Sequence, residues 1–378
     1  MDTIALLEKL IAFETVSAKS NLPLIDFVDE YLKSRGWTVD RIEDGEKAGL
    51  FCTLGPIASG GIILSAHSDV VPTDGQIWTK EAFQATRQDG RIYGRGATDM
   101  KGFLAAMLAL AGRLKAEDLQ APLMFSISYD EEIGCVGMQN MIAYLPDHFK
   151  SAALCIVGEP TEMKVAIGHK GKSALRAVCT GQAGHSSLAP KFVNAVQVAA
   201  AFARELDVVQ TRMADRGAHD EAYDIPYSTF HVGSITGGSA LNIVPDRAEV
   251  LFEFRHLAAD KPEDLLSSID AAAAKALAGF KNGAGIEIEV FNSYPGFDAA
   301  PESVGVQRAF ALAENAKPFK VAFGTEAGFF AQLGVPTVVC GPGSMSAQGH
   351  KPDEYIEESQ LAACDDMLGR VLEALRLS

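Results

Sequence analysis

A chain of 378 residues is too long for one ordinary hydrophobic core, so two domains are the expectation. Its 48% apolar and 22% charged content is that of a packed, soluble globular protein. The formal net charge of −16 argues against nucleic acid as a partner, although cations held by a carboxylate cluster would offset part of it. No apolar run is long enough to span a bilayer, so no membrane partner is expected. The opening MDTIALLEKLIAFETVS carries acidic residues where a signal peptide has a basic region, so export is not expected either. Six cysteines (Cys52, Cys135, Cys155, Cys179, Cys340, Cys364) lack CxxC spacing, and several sit in apolar runs. They read as reduced core residues of a cytoplasmic protein.

Apolar residues recur at three- and four-residue intervals over 3–14 and 24–35, which predicts two amphipathic helices, the second ended by Gly36. Short β-like runs follow at 37–42 and 50–54. Next comes the stretch 61–102, around which the rest of the chain is organised. Its apolar run Ile62-Ile63-Leu64 predicts a buried strand that ends on His67-Ser68-Asp69. The turn GRGATDMKG at 94–102 puts Asp99 just before an Ala/Leu/Met-rich helix over 103–114. A strand at 123–128 ends on Tyr129-Asp130-Glu131-Glu132. A helix covers about 136–144, and a strand at 153–157 ends on Gly158-Glu159-Pro160-Thr161. Strands alternating with helices predict an α/β layer with a mostly parallel sheet. In such sheets ligands bind just beyond the carboxyl ends of the strands.

From about Lys170 the grammar changes. A strand at 173–180, a helix at 192–206, strands at 227–235 and 248–255, a helix at 262–277 and a strand at 286–291 give the order β-α-β-β-α-β. That is the order of the ferredoxin-like split unit. Residues 204–224 form the most polar connector. The α/β grammar resumes with a helix near 303–313, strands at 320–323 and 337–340, and a C-terminal helix over 359–377. The expected organisation is a discontinuous catalytic domain of residues 1–169 and 293–378, carrying an inserted α+β domain of residues 170–292.

Strand ends thus offer His67, Asp69, Asp99, Glu131, Glu132 and Glu159, and the segment after 337–340 adds His350. Singly, each has a bland reading: a histidine after a strand is commonly just solvated, and a Glu-Glu pair is commonly an exposed helix start. Their recurrence at strand ends, with two imidazoles among carboxylates, suits Zn²⁺ or a similar borderline cation. Mg²⁺ and Ca²⁺ would call for all-oxygen sites. His148, His169, His219, His231 and His256 read as structural or surface residues.

HSD at 67–69, GRGATDMKG at 94–102, DEE at 130–132, VGEPT at 157–161 and GHKPDEYI at 349–356, in that order, resemble the M20 family of dinuclear zinc amidohydrolases and peptidases. The likeness covers essentially the whole chain. It implies a zinc-hydrolase catalytic domain with an inserted dimerisation (lid) domain, and a homodimer. It also implies two Zn²⁺ per subunit, replaceable by Co²⁺, with Asp99 bridging them, His67 and Glu159 on one, and Glu132 and His350 on the other. Glu131 would be the general base that takes a proton from water and passes it to the leaving amine. Asp69 would hold the far nitrogen of His67 and fix its tautomer. A cis Asp99–Met100 peptide is implied as well. His185, in Gly184-His185-Ser186-Ser187, would reach the partner subunit's active site and stabilise the developing oxyanion. Apart from the resemblance, it reads as a surface-loop histidine.

By the same resemblance Asn242 and Arg255 would read the substrate, Arg255 gripping an α-carboxylate with its planar fork. By itself Arg255 is an ordinary strand arginine. The loop Gly324-Thr325-Glu326-Ala327-Gly328 precedes a helix, so its amides could receive a carboxylate. Its GTEA sequence resembles the acetylornithine deacetylases of the family, whereas succinyl-diaminopimelate desuccinylases tend to carry a GGTSD-like loop. Glu326 is expected to favour the side-chain ammonium of N2-acetyl-L-ornithine, or else to cap the helix. The leading expectation is a deacetylase releasing L-ornithine and acetate for arginine biosynthesis. The other readings are a desuccinylase, an aminoacylase or a glutamate-releasing carboxypeptidase of the same family, and a non-catalytic binding protein. The complete ligand set with Glu131 counts against the last. A small N-acyl amino acid is the expected partner in each catalytic case.

Overall fold

In the computed structural model, which describes residues 1–280 and 283–376, the chain divides into two units. One comprises Met1–Gly168, Phe297–Lys320 and Thr325–Ser378, the other His169–Gly296 and Val321–Gly324.

The first unit is built on a nine-stranded sheet. Its inner strands Leu123–Ser128, Ile62–His67, Leu154–Pro160 and Thr337–Gly341 run parallel to one another. Every residue in these four strands is buried. Burial on both faces is why they read as apolar runs and not as alternations. An antiparallel pair, Thr38–Asp44 and Lys47–Leu54, extends the sheet from Leu123–Ser128. In the parallel register His67 stands opposite Ser128, so the histidine and the Tyr129–Glu132 turn emerge at the same edge.

The helix Gly102–Ala111 follows the Asp99 turn, and all ten of its residues are buried. A helix that is apolar all round belongs inside, and this one packs against the amphipathic helices Thr3–Ile11 and Glu358–Arg376. Phe103 in its first turn meets the Leu154–Pro160 strand at Gly158. A Cβ on residue 158 would stand 1.9 Å from the Phe103 ring, so the two elements can approach only because that residue is glycine. The expected end of the C-terminal helix, Leu377, lies outside the described residues.

The second unit carries a four-stranded antiparallel sheet in the order Thr229–Gly237, Arg247–His256, Gly171–Thr180, Gly285–Tyr294. The helices Ala195–Arg216 and Pro262–Leu277 contribute to one core with the alternate buried residues of these strands, including Leu175, Ala177, Val250 and Phe252. Element order and strand order are those of the ferredoxin-like unit. The first helix differs from expectation. It begins at Ala195, where the Asn194 side chain accepts the amides of Val196 and Gln197, and it runs on to Arg216. Val209 and Met213 are buried in its extension, so much of the expected polar connector is the exposed face of a helix. All six cysteines are free and buried. Among the described residues no helix is long and apolar enough to cross a membrane.

Candidate metal centre

In the first unit, strand ends and two loops converge on one group of side chains. His67 closes the strand Ile62–His67 and is 1% exposed. Its Nε2 lies 3.1 Å from Asp99 Oδ1 and 3.6 Å from Glu159 Oε1. The second oxygen of Asp99 faces another imidazole: His350 Nε2 is 3.0 Å from Asp99 Oδ2 and 2.9 Å from Glu132 Oε2. Asp99 therefore stands between two histidines, with one oxygen turned to each. The turn that presents it passes through Gly96 at a φ of +82°, a conformation open to glycine, and its Asp99–Met100 peptide is cis.

Glu131 belongs to the same group. Ligand atoms of His67, Glu131 and Glu159 lie within 4.8 Å of one another, as do those of His67, Asp99 and Glu132. Cys135 Sγ donates to Glu131 Oε1 at 3.5 Å. Asp69 stands behind. His67 Nδ1 donates to the Asp69 backbone carbonyl at 3.0 Å, with the carboxylate slightly farther at 3.4 Å. The carboxylate also accepts from Ser17 Oγ at 2.7 Å and from the amides of Glu131 and Glu132 at 3.1 and 3.4 Å. No sequence feature singled out Ser17, which lies 52 residues from Asp69.

Crowding these groups away from water sets their charges against one another. Burial, then the charge of Asp99, pushes the Glu132 carboxyl up to about 7. Burial also raises Glu131, with His67 opposing, and it raises Glu159, with Asp99 adding to the effect. Hydrogen bonds to Asp99 and Glu132 lift His350 to about 10. For His67 burial works the other way, but Asp69 and Asp99 outweigh it, and the imidazole is raised too. The cluster thus favours protons on groups that a cation would otherwise balance. Glu132 Oε1 is buried without a hydrogen-bond partner among the described residues. Imidazole nitrogens and carboxylate oxygens around a shared Asp99, one of them orphaned, fit a borderline divalent metal.

The sequence model described as Peptidase family M20/M25/M40 matches residues 63–374. The chain belongs to the M20 peptidase family. It is therefore an enzyme, a hydrolase of a metal-dependent family. It is 33% identical over 378 residues to the acetylornithine deacetylase of Myxococcus xanthus, covering 97% of this chain and 96% of that one. Its fold is similar to that of the M20 family metallo-carboxypeptidase Sso-CP2 from Sulfolobus solfataricus, with a TM-score of 0.77, 20% identity and full coverage of both chains. The YXEP protein of Bacillus subtilis, described as a dinuclear metal binding peptidase of the family, matches with a TM-score of 0.68 and 14% identity, covering 99% of this chain and 97% of that one.

The remaining candidates in this M20 chain have different surroundings. His185 and Asn242 lie in the second unit on neighbouring segments, where Gly184-His185 pairs with Ile243-Val244. Both are exposed, and the His185 ring bonds Ser187 Oγ at 2.8 Å. Arg255, in the same unit, has its Nε engaged by Glu253 at 3.0 Å. Gly324 has no room for a side chain, since a Cβ would meet Tyr294 Oη at 2.2 Å. The short helix Ala327–Gln332 receives its side-chain bond from Thr325, whose Oγ1 accepts the Ala327 amide at 3.0 Å. Glu326 makes no such bond. That amide is thus already occupied, and Glu326 is buried to 1% exposure instead, with Oε2 3.5 Å from Ser65 Oγ. Burial raises its carboxyl to about 7, and its Oε1 has no hydrogen-bond partner among the described residues.

Proposed function

We propose that this M20 hydrolase removes the acetyl group from N2-acetyl-L-ornithine, giving L-ornithine and acetate, and that it does so as a cytoplasmic homodimer of arginine biosynthesis. The observation that carries the hydrolytic reading is Asp99, one oxygen toward His67 and the other toward His350. Asp99 would hold two Zn²⁺ or Co²⁺ ions jointly, His67 and Glu159 completing one position, Glu132 and His350 the other. When bound, such a pair supplies Lewis acidity, polarising a carbonyl and acidifying adjacent water.

The side chains do the rest. A carboxylate oxygen of Glu131 takes a proton from water as the water oxygen bonds to the acetyl carbon. The carbon–nitrogen bond then breaks, and Glu131 returns that proton to the departing amine. Asp69 holds the start of the Glu131 segment through its backbone amide. His185, supplied by the partner subunit, donates to the oxygen that gains charge.

Substrate choice rests on a second set. Arg255 and Asn242 receive the α-carboxylate end, together with the Gly324-Thr325 backbone. Glu326 pairs with the side-chain ammonium through its orphaned oxygen. Full-length similarity to a protein named acetylornithine deacetylase supports the same choice.

Initial rates of one zinc-loaded preparation on N-acetylornithine, N-acetylmethionine and N-succinyl-diaminopimelate, with a chelated control, test the reading. The expected result is a kcat/KM preference for acetylornithine that chelation removes. A preference for another substrate overturns the role of Glu326, and activity that survives complete metal removal overturns the metal reading.

A further inference from the structure

Behind the cluster, one buried ion pair reaches both the turn that bears Asp99 and the loop that bears His350. Arg95 is wholly buried, and its Nη1 donates to Glu354 Oε2 at 2.5 Å. The same guanidinium donates to the carbonyls of Lys351 and Pro72, each at 3.4 Å, and to Gln76 Oε1 at 2.6 Å. Gln76 in turn donates from Nε2 to the backbone carbonyl of His350 at 2.9 Å. On the far side Glu354 Oε1 accepts the backbone amides of Thr98 and Asp99 at 3.0 and 3.1 Å. The three side chains thus link the loop at 72–76, the turn at 94–99 and the loop at 350–354.

A buried ion pair is weak evidence for stability, because desolvating both charges offsets much of their attraction. This one has a different use. Its outer hydrogen bonds go to the turn that presents Asp99, to the loop that presents His350, and to the 72–76 loop from which Gln76 reaches the His350 carbonyl. The two histidines also differ in how they are held. His67 ends a buried strand, whereas His350 sits on a loop at a φ of 60° with 47% of its side chain exposed. The trio braces the second, which has no strand to hold it.

We propose that Arg95, Glu354 and Gln76 form a positioning clamp that sets His350 against Asp99. The clamp governs occupancy of the metal position shared by His350 and Glu132, and through Gln76 it acts on that position and not on the one of His67 and Glu159. The inference rests on the two-metal reading above.

The test is a Zn²⁺ titration of the metal-free protein against a competing chelator, for the unmodified chain, Gln76→Ala, Gln76→Glu and Glu354→Gln. The unmodified chain should bind two ions. Gln76→Glu keeps an acceptor for Arg95 and loses the donor to His350, so it should behave like Gln76→Ala. In both, one ion should weaken by about tenfold or more while the other stays within about twofold, with an unchanged circular dichroism spectrum. Glu354→Gln, which also loosens the turn bearing the shared Asp99, should weaken that ion most and the other less; if it does not fold, the two Gln76 variants decide. Unchanged affinities in both Gln76 variants would overturn the clamp alone. Equal weakening of both ions would assign the trio to general packing and overturn it too. Failure of the unmodified chain to bind two ions would remove the metal reading and the clamp with it.

Discussion

Asp69 Oδ1 accepts a hydrogen bond from the backbone amide of Glu131 at 3.1 Å. The same carboxylate takes the Glu132 amide at 3.4 Å and the Ser17 hydroxyl at 2.7 Å. One side chain from the turn after His67 thus fixes the start of the segment that bears a candidate base and a candidate ligand. Asp69→Asn keeps the size but turns an NH₂ toward at least one of these donors. The expected outcome is a folded protein with kcat and zinc affinity each lowered about 10–100-fold. Kinetics and metal analysis on one preparation check this; unchanged values would mean the negative charge at 69 is not used.

Glu131 lies within ligand distance of His67 and Glu159, so base and ligand roles must be separated by measurement. Glu131→Gln should lower kcat by about 10²–10⁴-fold while bound zinc stays at the unmodified level. A parallel loss of zinc would make Glu131 a ligand and leave the base unassigned.

Metal uptake should release protons. His350 is held at about 10 by Asp99 and Glu132 in the metal-free protein, and a ligand imidazole must be neutral. Because that pKa lies above neutral pH, His350 carries a proton before the metal arrives and gives it up afterwards. Zinc added to weakly buffered protein at neutral pH should acidify the solution, and affinity should increase as the pH rises toward 10. His350→Ala should release less acid and bind less metal. A pH-independent affinity would contradict the assignment.

His185 is exposed and bonded within its own turn, so His185→Ala should shift stability by no more than about 0.5 kcal/mol. Its kcat should nevertheless fall steeply. On the proposed homodimer, mixing His185→Ala and Glu131→Gln chains then reports on sharing. Recovered activity is the expected result, and none on mixing would place His185 outside the partner's site.

Much of this architecture could be read from the chain alone, and the reasons are physical. The inner strands are buried on both faces, so they appear as unbroken apolar runs, and the polar groups that follow them mark one edge of the sheet. The helix Ala195–Arg216 was harder. Its second half is mostly exposed, and composition there resembles a connector, with Val209 and Met213 too sparse to reveal the period. Ser17 and Glu354 escaped assignment because they act through partners 52 and 259 residues away. The burial of Glu326 is likewise a tertiary fact, invisible in the GTEA loop.

Gly158 bears on how such a site can change over time. Its neighbour Glu159 is a candidate ligand, and the ring of Phe103 occupies the place a side chain would take. The constraint on that stretch is therefore an absent atom, which no catalogue of reactive groups records. A lineage that acquired a methyl at 158 would have to reshape the packing of Phe103 before it could keep Glu159 where it stands.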